Sequence, residues 1–409
     1  MASRVRSRKL VAFIVSHPIQ YYAPLYQRLA QRSDLRIKVF FTWHAGNIPV
    51  EDRGFKTQVQ WDIPLTGGYD FELVPNVSAA AGTHHFLGLR NPLLLERVMA
   101  WQPDVVHITG WAWYSHFLAL RRLGKKDIPI LFRGDSHLLD ARQSGIYWWI
   151  KRAVLRRVFA YPTAFLVVGK ANREYYQAFG VEQERMYACP HSIDVKRFAE
   201  PAEALELEAA QWRRQLGVSP ESCVVLFAGK FERKKCPIEL MHAVLALKDS
   251  NVVLVMVGGG ELEGQVKAFA SLHPQRVRVL PFQNQSRMPV VYRLGNLFVL
   301  PSAFGETWGL AVNEAISCGR AVLVSDRVGC AADVIDTTCG RIFSWENASN
   351  LAQALDEMTA DRKKLSEMGQ LAAQRAWLFD VPNTETTLVT AISQVCSRMT
   401  NSNAYKLFR

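Results

Sequence analysis

The 409-residue sequence predicts an α/β protein made of two consecutive doubly wound domains. Three observations predict it. Short apolar runs alternate with longer amphipathic ones, as strands and helices do around a parallel sheet; the alternation restarts near residue 200; and the length suits two domains of roughly 100 to 200 residues each.

In the front half the strand candidates are LVAFIVS (10–16), LRIKVFFT (35–42), DVVHITG (104–110), PILFRG (129–134) and AFLVVG (164–169). Helical patterns such as YYAPLYQRLAQR and YWWIKRAVLRRVFA lie between them. After CPHSIDVKRFAEP the composition turns charged and alanine-rich, in AEALELEAAQWRRQLGV, which reads as a linking helix. The strands resume with CVVLFAG (223–229), VVLVMVGGG (252–260), RVRVLP (276–281), LFVLPS (297–302) and AVLVS (321–325). Beyond about residue 347 only helical patterns remain. The expected divisions are 1–199, 200–375 and a helical tail 376–409 that crosses back to the first domain.

The apolar run Leu10–Val15 ends in Ser-His-Pro and is shorter than the ~7 to 15 residues of a secretory core, so it reads as a buried strand. No stretch approaches the ~18 apolar residues of a membrane span, and a cytoplasmic protein is expected. The seven cysteines show no C-x-x-C spacing, which argues against a zinc knuckle or a redox dithiol. Charge is uneven: residues 1–200 hold 27 Lys and Arg against 16 Asp and Glu, whereas residues 201–409 hold 22 against 21. No nucleic-acid motif accompanies the basic half, so an anionic surface or substrate is the expected partner and nucleic acid is not.

Ligands of doubly wound sheets bind beyond the carboxyl ends of the strands, so the chemistry is sought in the loops there. GETWGLAVNEA (305–315) places Glu306 in the loop after LFVLPS and Glu314 about a turn and a half into a helix starting near Trp308 or Gly309. A helix start offers unpaired N–H groups to a phosphate. Glu306 can accept from sugar hydroxyls and Glu314 from a ribose diol, although a glutamate early in a helix also simply complements the dipole. AGKFERKKCP puts Lys230 and Lys235 after a strand end, where each can face a diphosphate; a charge pair near 4 Å in a partly screened site is worth about 4 kcal/mol before desolvation. The plain alternative is a solvated loop lysine, the reading taken for Arg233 and Lys234. Gly258 and Gly260 in VGGGELEG permit close backbone approach, and Phe282 and Gln283 in LPFQNQS can hold a base.

Taken in order, CPHSIDVKRF, AGKFERKK, VGGGELEG and LFVLPSAFGETWGLAVNEAISCGRAVLVSD resemble the retaining nucleotide-sugar glycosyltransferases of family four. The resemblance covers nearly all of the back half and fades in the front. It implies a GT-B architecture, two Rossmann-like domains facing across a cleft. It also implies that Lys230, following Gly229, and Lys235 grip the diphosphate, that Glu306 contacts the donor sugar and Glu314 the ribose, and that backbone amides along Thr307, Trp308, Gly309 and Leu310 add donor contacts. No cofactor and no metal are expected, the lysines and amides neutralising the leaving group; no Asp-x-Asp occurs in the chain.

The front half departs from the family pattern. SHPIQYYAP replaces a glycine-rich loop after the first strand, leaving His17 and Gln20 as acceptor-side candidates. Where relatives place a histidine after the strand corresponding to PILFRG, this chain has FRGDSHLLD, so Arg133, Asp135 and His137 compete for a catalytic or acceptor-side role. His107 and His116 read as structural, and His191 is unassigned. The segment YWWIKRAVLRRVFAY (147–161) sets Trp148, Lys151, Arg152 and Arg156 beside an apolar stripe, a pattern that fits either a core helix with a basic face or a helix lying on an anionic bilayer at the inner membrane face.

The expected activity is transfer, with retention, of a hexose-type sugar from a UDP- or GDP-sugar to a hydroxyl of a lipid-linked, polysaccharide or other glycan acceptor. Two alternatives share the architecture: a nucleotide-sugar epimerase and a non-catalytic sugar-nucleotide-binding protein.

Overall fold

A computed structural model of the chain describes residues 8–44, 50–52, 54, 57–126, 128–141 and 143–407. By internal contacts it divides into two units: Met1–Ile48, Pro64–Pro190 and Val381–Arg409 form the first, and Pro49–Ile63 and His191–Asp380 the second.

The first unit holds a parallel sheet of seven strands: β1 (Lys9–Val15), β2 (Leu35–Phe41), β3 (Phe71–Leu73), β4 (Val105–Thr109), β5 (Ile130–Arg133), β6 (Ala164–Val167) and β7 (Met186–Ala188), in the order β3-β2-β1-β4-β5-β6-β7. Because successive side chains of a strand point to opposite faces, β1 serves two cores at once. Val11, Phe13 and Val15 pack on one face with Leu25, Tyr26 and Leu29 of the helix Ala23–Ala30. Ala12 and Ile14 pack on the other with Leu94, Leu120 and Phe132. The last helix, Val381–Leu407, completes the first of these cores with Leu388, Ala391, Ile392 and Val395. A sheet covered on both faces has no polar side, which is why its strands read as continuous apolar runs.

The second unit repeats the scheme with six parallel strands: β8 (Cys223–Lys230), β9 (Val252–Gly259), β10 (Val277–Leu280), β11 (Leu297–Leu300), β12 (Ala321–Ser325) and β13 (Gly340–Phe343), in the order β10-β9-β8-β11-β12-β13. In both sheets the order reverses beside the first strand, so β1/β4 and β8/β11 are the switch points where a crevice opens at the carboxyl ends. The five strand candidates of each half are all present. The short strands β3, β7 and β13 and an antiparallel hairpin (Val50–Asp52 with Thr57–Val59) were not among them. Strands of three residues carry too few side chains to show a period, and β13 includes Gly340 and Arg341 and so forms no apolar run. The hairpin also belongs by its contacts to the second unit, although it lies early in the chain.

Candidate functional site

The second unit gathers its chemistry at the β8/β11 switch point. β8 ends on Lys230, and the tight turn Arg233–Lys235 follows. Ala303, just after β11, donates its N–H to the Lys234 carbonyl at 2.8 Å, tying the two post-strand loops together. That tie brings Lys235 Nζ to 2.5 Å from Glu306 Oε2, and Ser302 donates its hydroxyl to the same oxygen at 3.2 Å. Both side chains of the ion pair remain 16% exposed, so the pair borders solvent. An ammonium has three N–H donors; the one directed at Glu306 leaves two.

Close backbone packing holds Glu306 in place. Gly329 donates to the Glu306 carbonyl and Cys330 to the Trp308 carbonyl, while a Cβ at residue 329 would stand 2.0 Å from the Thr307 carbonyl oxygen. Gly309 caps the next helix, Leu310–Ser317, at φ +96°, a left-handed conformation suited to glycine. The helix therefore starts within a residue of its expected position, with Thr307 exposed and Trp308 buried beside Asn313, to which its Nε1 donates at 2.9 Å. Glu314 lies inside this helix, 2% exposed, and its Oε2 accepts the Tyr292 hydroxyl at 2.5 Å.

On the other side of β8, a Cβ at Gly258 would fall 1.9 Å from the Gly229 carbonyl oxygen, and one at Gly260 would fall 3.0 Å from Phe231 backbone atoms, so these glycines set how near β8 and β9 approach. Gly54, from the early hairpin, lies along the stem of Lys230; a Cβ there would be 2.4 Å from Lys230 Cδ. Phe282 meets Trp61 edge-on with ring centroids 6.4 Å apart, Gln283 donates to the Pro281 carbonyl at 3.2 Å, and Asn284 donates to the Gln60 carbonyl at 2.7 Å. Gly54, Trp61, Tyr292 and Ser302 were not signalled by the motifs. Ser302 stood within LFVLPS, so its position after a strand end was the available signal.

The residues proposed in the first unit are placed differently from one another. His17 follows β1, with its ring stacked on His44 at 5.2 Å and set against Trp43 at 5.3 Å. Burial, reinforced by the neighbouring His44, lowers its pKa to about 4, so the ring is neutral at pH 7. Gln20 is half-buried. Arg133 ends β5 buried, donating to the Tyr22 hydroxyl at 3.1 Å and to the Cys189 carbonyl at 3.0 Å, so it fastens Tyr22 to the end of the unit. Asp135 is exposed, and His137 Nδ1 accepts the Leu139 N–H at 3.2 Å. His107 and His116 are core residues: His116 lies between the Thr42 hydroxyl (3.0 Å) and the Thr109 carbonyl (2.8 Å).

A cavity of about 390 Å³ lies at the amino ends of the second sheet, lined by Glu206, Arg293, Asn296 and Arg320 among others. Its arginines cap backbone: Arg293 donates to the Phe198 and Pro289 carbonyls, and Arg320 to those of Cys318 and Gly295. It is separate from the Lys235–Glu306 site at the carboxyl ends.

Residues 208–375 match the family profile of Glycosyl transferases group 1, and residues 62–197 that of Glycosyltransferase Family 4. The chain carries glycosyltransferase domains. Lys230, Lys235, Glu306 and Glu314 all fall within the group 1 glycosyltransferase match. A D-inositol 3-phosphate glycosyltransferase of Streptomyces bingchenggensis is 29% identical over 237 residues, 52% of this chain and 50% of that protein. The chain spans about half the length of the curated relatives first matched. Among solved structures, a sucrose-phosphate synthase from Thermosynechococcus elongatus superposes with a TM-score of 0.72 at 19% identity, covering 96% of this chain and all of that one. Anabaena HepE in complex with UDP and glucose gives 0.67 at 15% identity, covering 95% and 100%. At these identities the likeness is one of fold, and the glycosyltransferase fold of the two sheets is GT-B.

Proposed function

We propose that this chain moves a hexose-type sugar from a nucleoside diphosphate, UDP or GDP, to an acceptor hydroxyl, with retention at the anomeric carbon and without a metal ion. The observation that carries the reading is the Lys235–Glu306 pair at the β8/β11 switch point, beside the start of the helix Leu310–Ser317. The ammonium of Lys235 and the helix N–H groups offset the charge that grows on the departing diphosphate. Glu306 accepts from sugar hydroxyls and, through its ion pair, orients Lys235. The departing phosphate oxygen takes the acceptor proton on the face it leaves, so no separate base is required. Glu314, fixed by Tyr292, orients the ribose, and the first unit takes a lipid-linked or other glycan acceptor.

The HepE complex with UDP and glucose supports a uridine diphosphate donor, and the inositol-phosphate relative supports a polyhydroxylated acceptor. The test is incubation with UDP- and GDP-hexoses, with and without a glycan or polyol acceptor, in the presence of EDTA. Acceptor-dependent release of UDP or GDP and an α-linked product from an α-linked donor are expected. Conversion of the donor sugar without any acceptor would establish the epimerase reading instead, and loss of all activity in EDTA would overturn the metal-free mechanism.

A further inference from the structure

The helix Gly145–Val158 of the first unit buries a narrow stripe and leaves a broad one open. Leu155 and Val158 are buried, and Trp148 packs on Phe179 with centroids 5.1 Å apart. On the other side Tyr147 is 85% exposed, Ile146 70% and Trp149 59%, with Ile150 and Val154 also exposed. Ile146, Ile150 and Val154 recur every four residues, so they form one continuous row, with Tyr147 and Trp149 beside it. Monomeric surfaces scatter large apolar residues singly, and five on a 14-residue helix form a patch.

The charges on this helix have one sign. Lys151, Arg156 and Arg157 are exposed, and Arg152 lies over the Trp149 ring at 5.5 Å. The sequence has no Asp or Glu from Ala141 to Arg173.

We propose that this helix lies in the headgroup region of an anionic lipid bilayer, with Ile146, Trp149, Ile150 and Val154 directed toward the acyl chains and Arg156 and Arg157 among the lipid phosphates. Apolar area and electrostatic attraction together drive interfacial binding, and tryptophan and tyrosine favour that depth. A second copy of the chain does not suit the face, because a two-fold contact pairs this helix with itself and the helix offers Arg156 and Arg157 no carboxylate partner. No helix among the described residues is long and apolar enough to cross a membrane, so the mode is one of lying on the surface. The inference rests on the first unit alone and is independent of the donor-site reading.

The test is co-sedimentation of the full chain with vesicles of phosphatidylcholine alone and of phosphatidylcholine mixed with phosphatidylglycerol. The wild type is expected to bind the anionic vesicles at least about tenfold more tightly, and added salt should weaken that binding. Trp149→Ser with Ile150→Ser should lower the partition coefficient about tenfold while keeping its salt dependence, and Arg156→Glu with Arg157→Glu should lower it by a similar factor or more. All four side chains are exposed, and unchanged circular dichroism melts verify that the variants fold. Equal binding to both vesicle types, variants that sediment like wild type, or light scattering showing that Trp149 and Ile150 hold a dimer together would each overturn the proposal.

Discussion

Lys235 Nζ stands 2.5 Å from Glu306 Oε2, although 71 residues separate them in the chain. The cation is thus held in place by its own counter-ion. Such an arrangement keeps a long side chain from sampling its many rotamers, which lowers the entropy a ligand must remove.

Replacing either partner should separate catalysis from folding. Lys235→Ala and Glu306→Ala are each expected to cut turnover by more than about tenfold in steady-state assays, because each removes a group aimed at developing charge or at the sugar. Circular dichroism should show both variants folded at the assay temperature, with melting temperatures lowered because each removes the counter-ion of a mostly buried charge. Turnover like the wild type in either variant would remove the basis of the proposed function.

Tyr292 tests whether Glu314 needs to be held. Tyr292→Phe keeps the buried ring and deletes the hydroxyl that donates to Glu314. The expected cost is about 1–3 kcal/mol in urea denaturation, with KM for the donor rising more than kcat falls. A fall confined to kcat would argue that Glu314 acts on the reacting sugar rather than on the nucleotide.

Two glycines of the second unit should respond in opposite directions. Gly258→Ala forces a methyl to within 1.9 Å of the Gly229 carbonyl oxygen and should destabilise by about 3 kcal/mol or more, prising β8 from β9. Gly264→Ala, on the helix Glu263–Leu272 with nothing within 4 Å of the new Cβ, should stabilise by about 0.5–1 kcal/mol. Denaturation midpoints of the two variants against wild type check both signs.

The first unit should be acid-sensitive through its core histidines. Burial, with the Arg133 charge adding to it, lowers the pKa of His107 to about 3, and burial lowers that of His116 to about 4. In the unfolded chain these rings take up protons near pH 6.5, whereas the folded unit refuses them. Stability is therefore full above about pH 6.5 and falls as pH drops toward 4, by about 2 kcal/mol per histidine at pH 5. Urea midpoints measured between pH 7 and pH 5 should decline accordingly, and His116→Gln should flatten the slope.

Local pattern and distant contact explain what the sequence disclosed. The ten strand candidates were legible because a sheet covered on both faces demands unbroken apolar runs, and Glu306 and Lys235 were legible because loops after strand ends are where such sheets hold ligands. That the two side chains touch was not legible, because it depends on the Ala303 to Lys234 hydrogen bond between separate loops. Gly54 and Trp61 precede β8 by more than 150 residues and still pack on its unit, a pairing that no window of sequence contains. Arg133 shows the converse: it stands at a strand end like Lys230, yet Tyr22 and Cys189 enclose it. The helix Gly145–Val158 was read with Trp148, Lys151, Arg152 and Arg156 together beside an apolar stripe, but the structure turns Trp148 inward and Trp149 outward, since neighbouring positions differ by about 100° around a helix.

The return of Val381–Leu407 to the first unit fixes an order of events on the ribosome. Once Asp380 has emerged from the ribosome every segment of the second unit is free to close, while Leu25 and Ile37 still face water on one side until Val381–Leu407 follows. The portion translated first is thus the portion finished last.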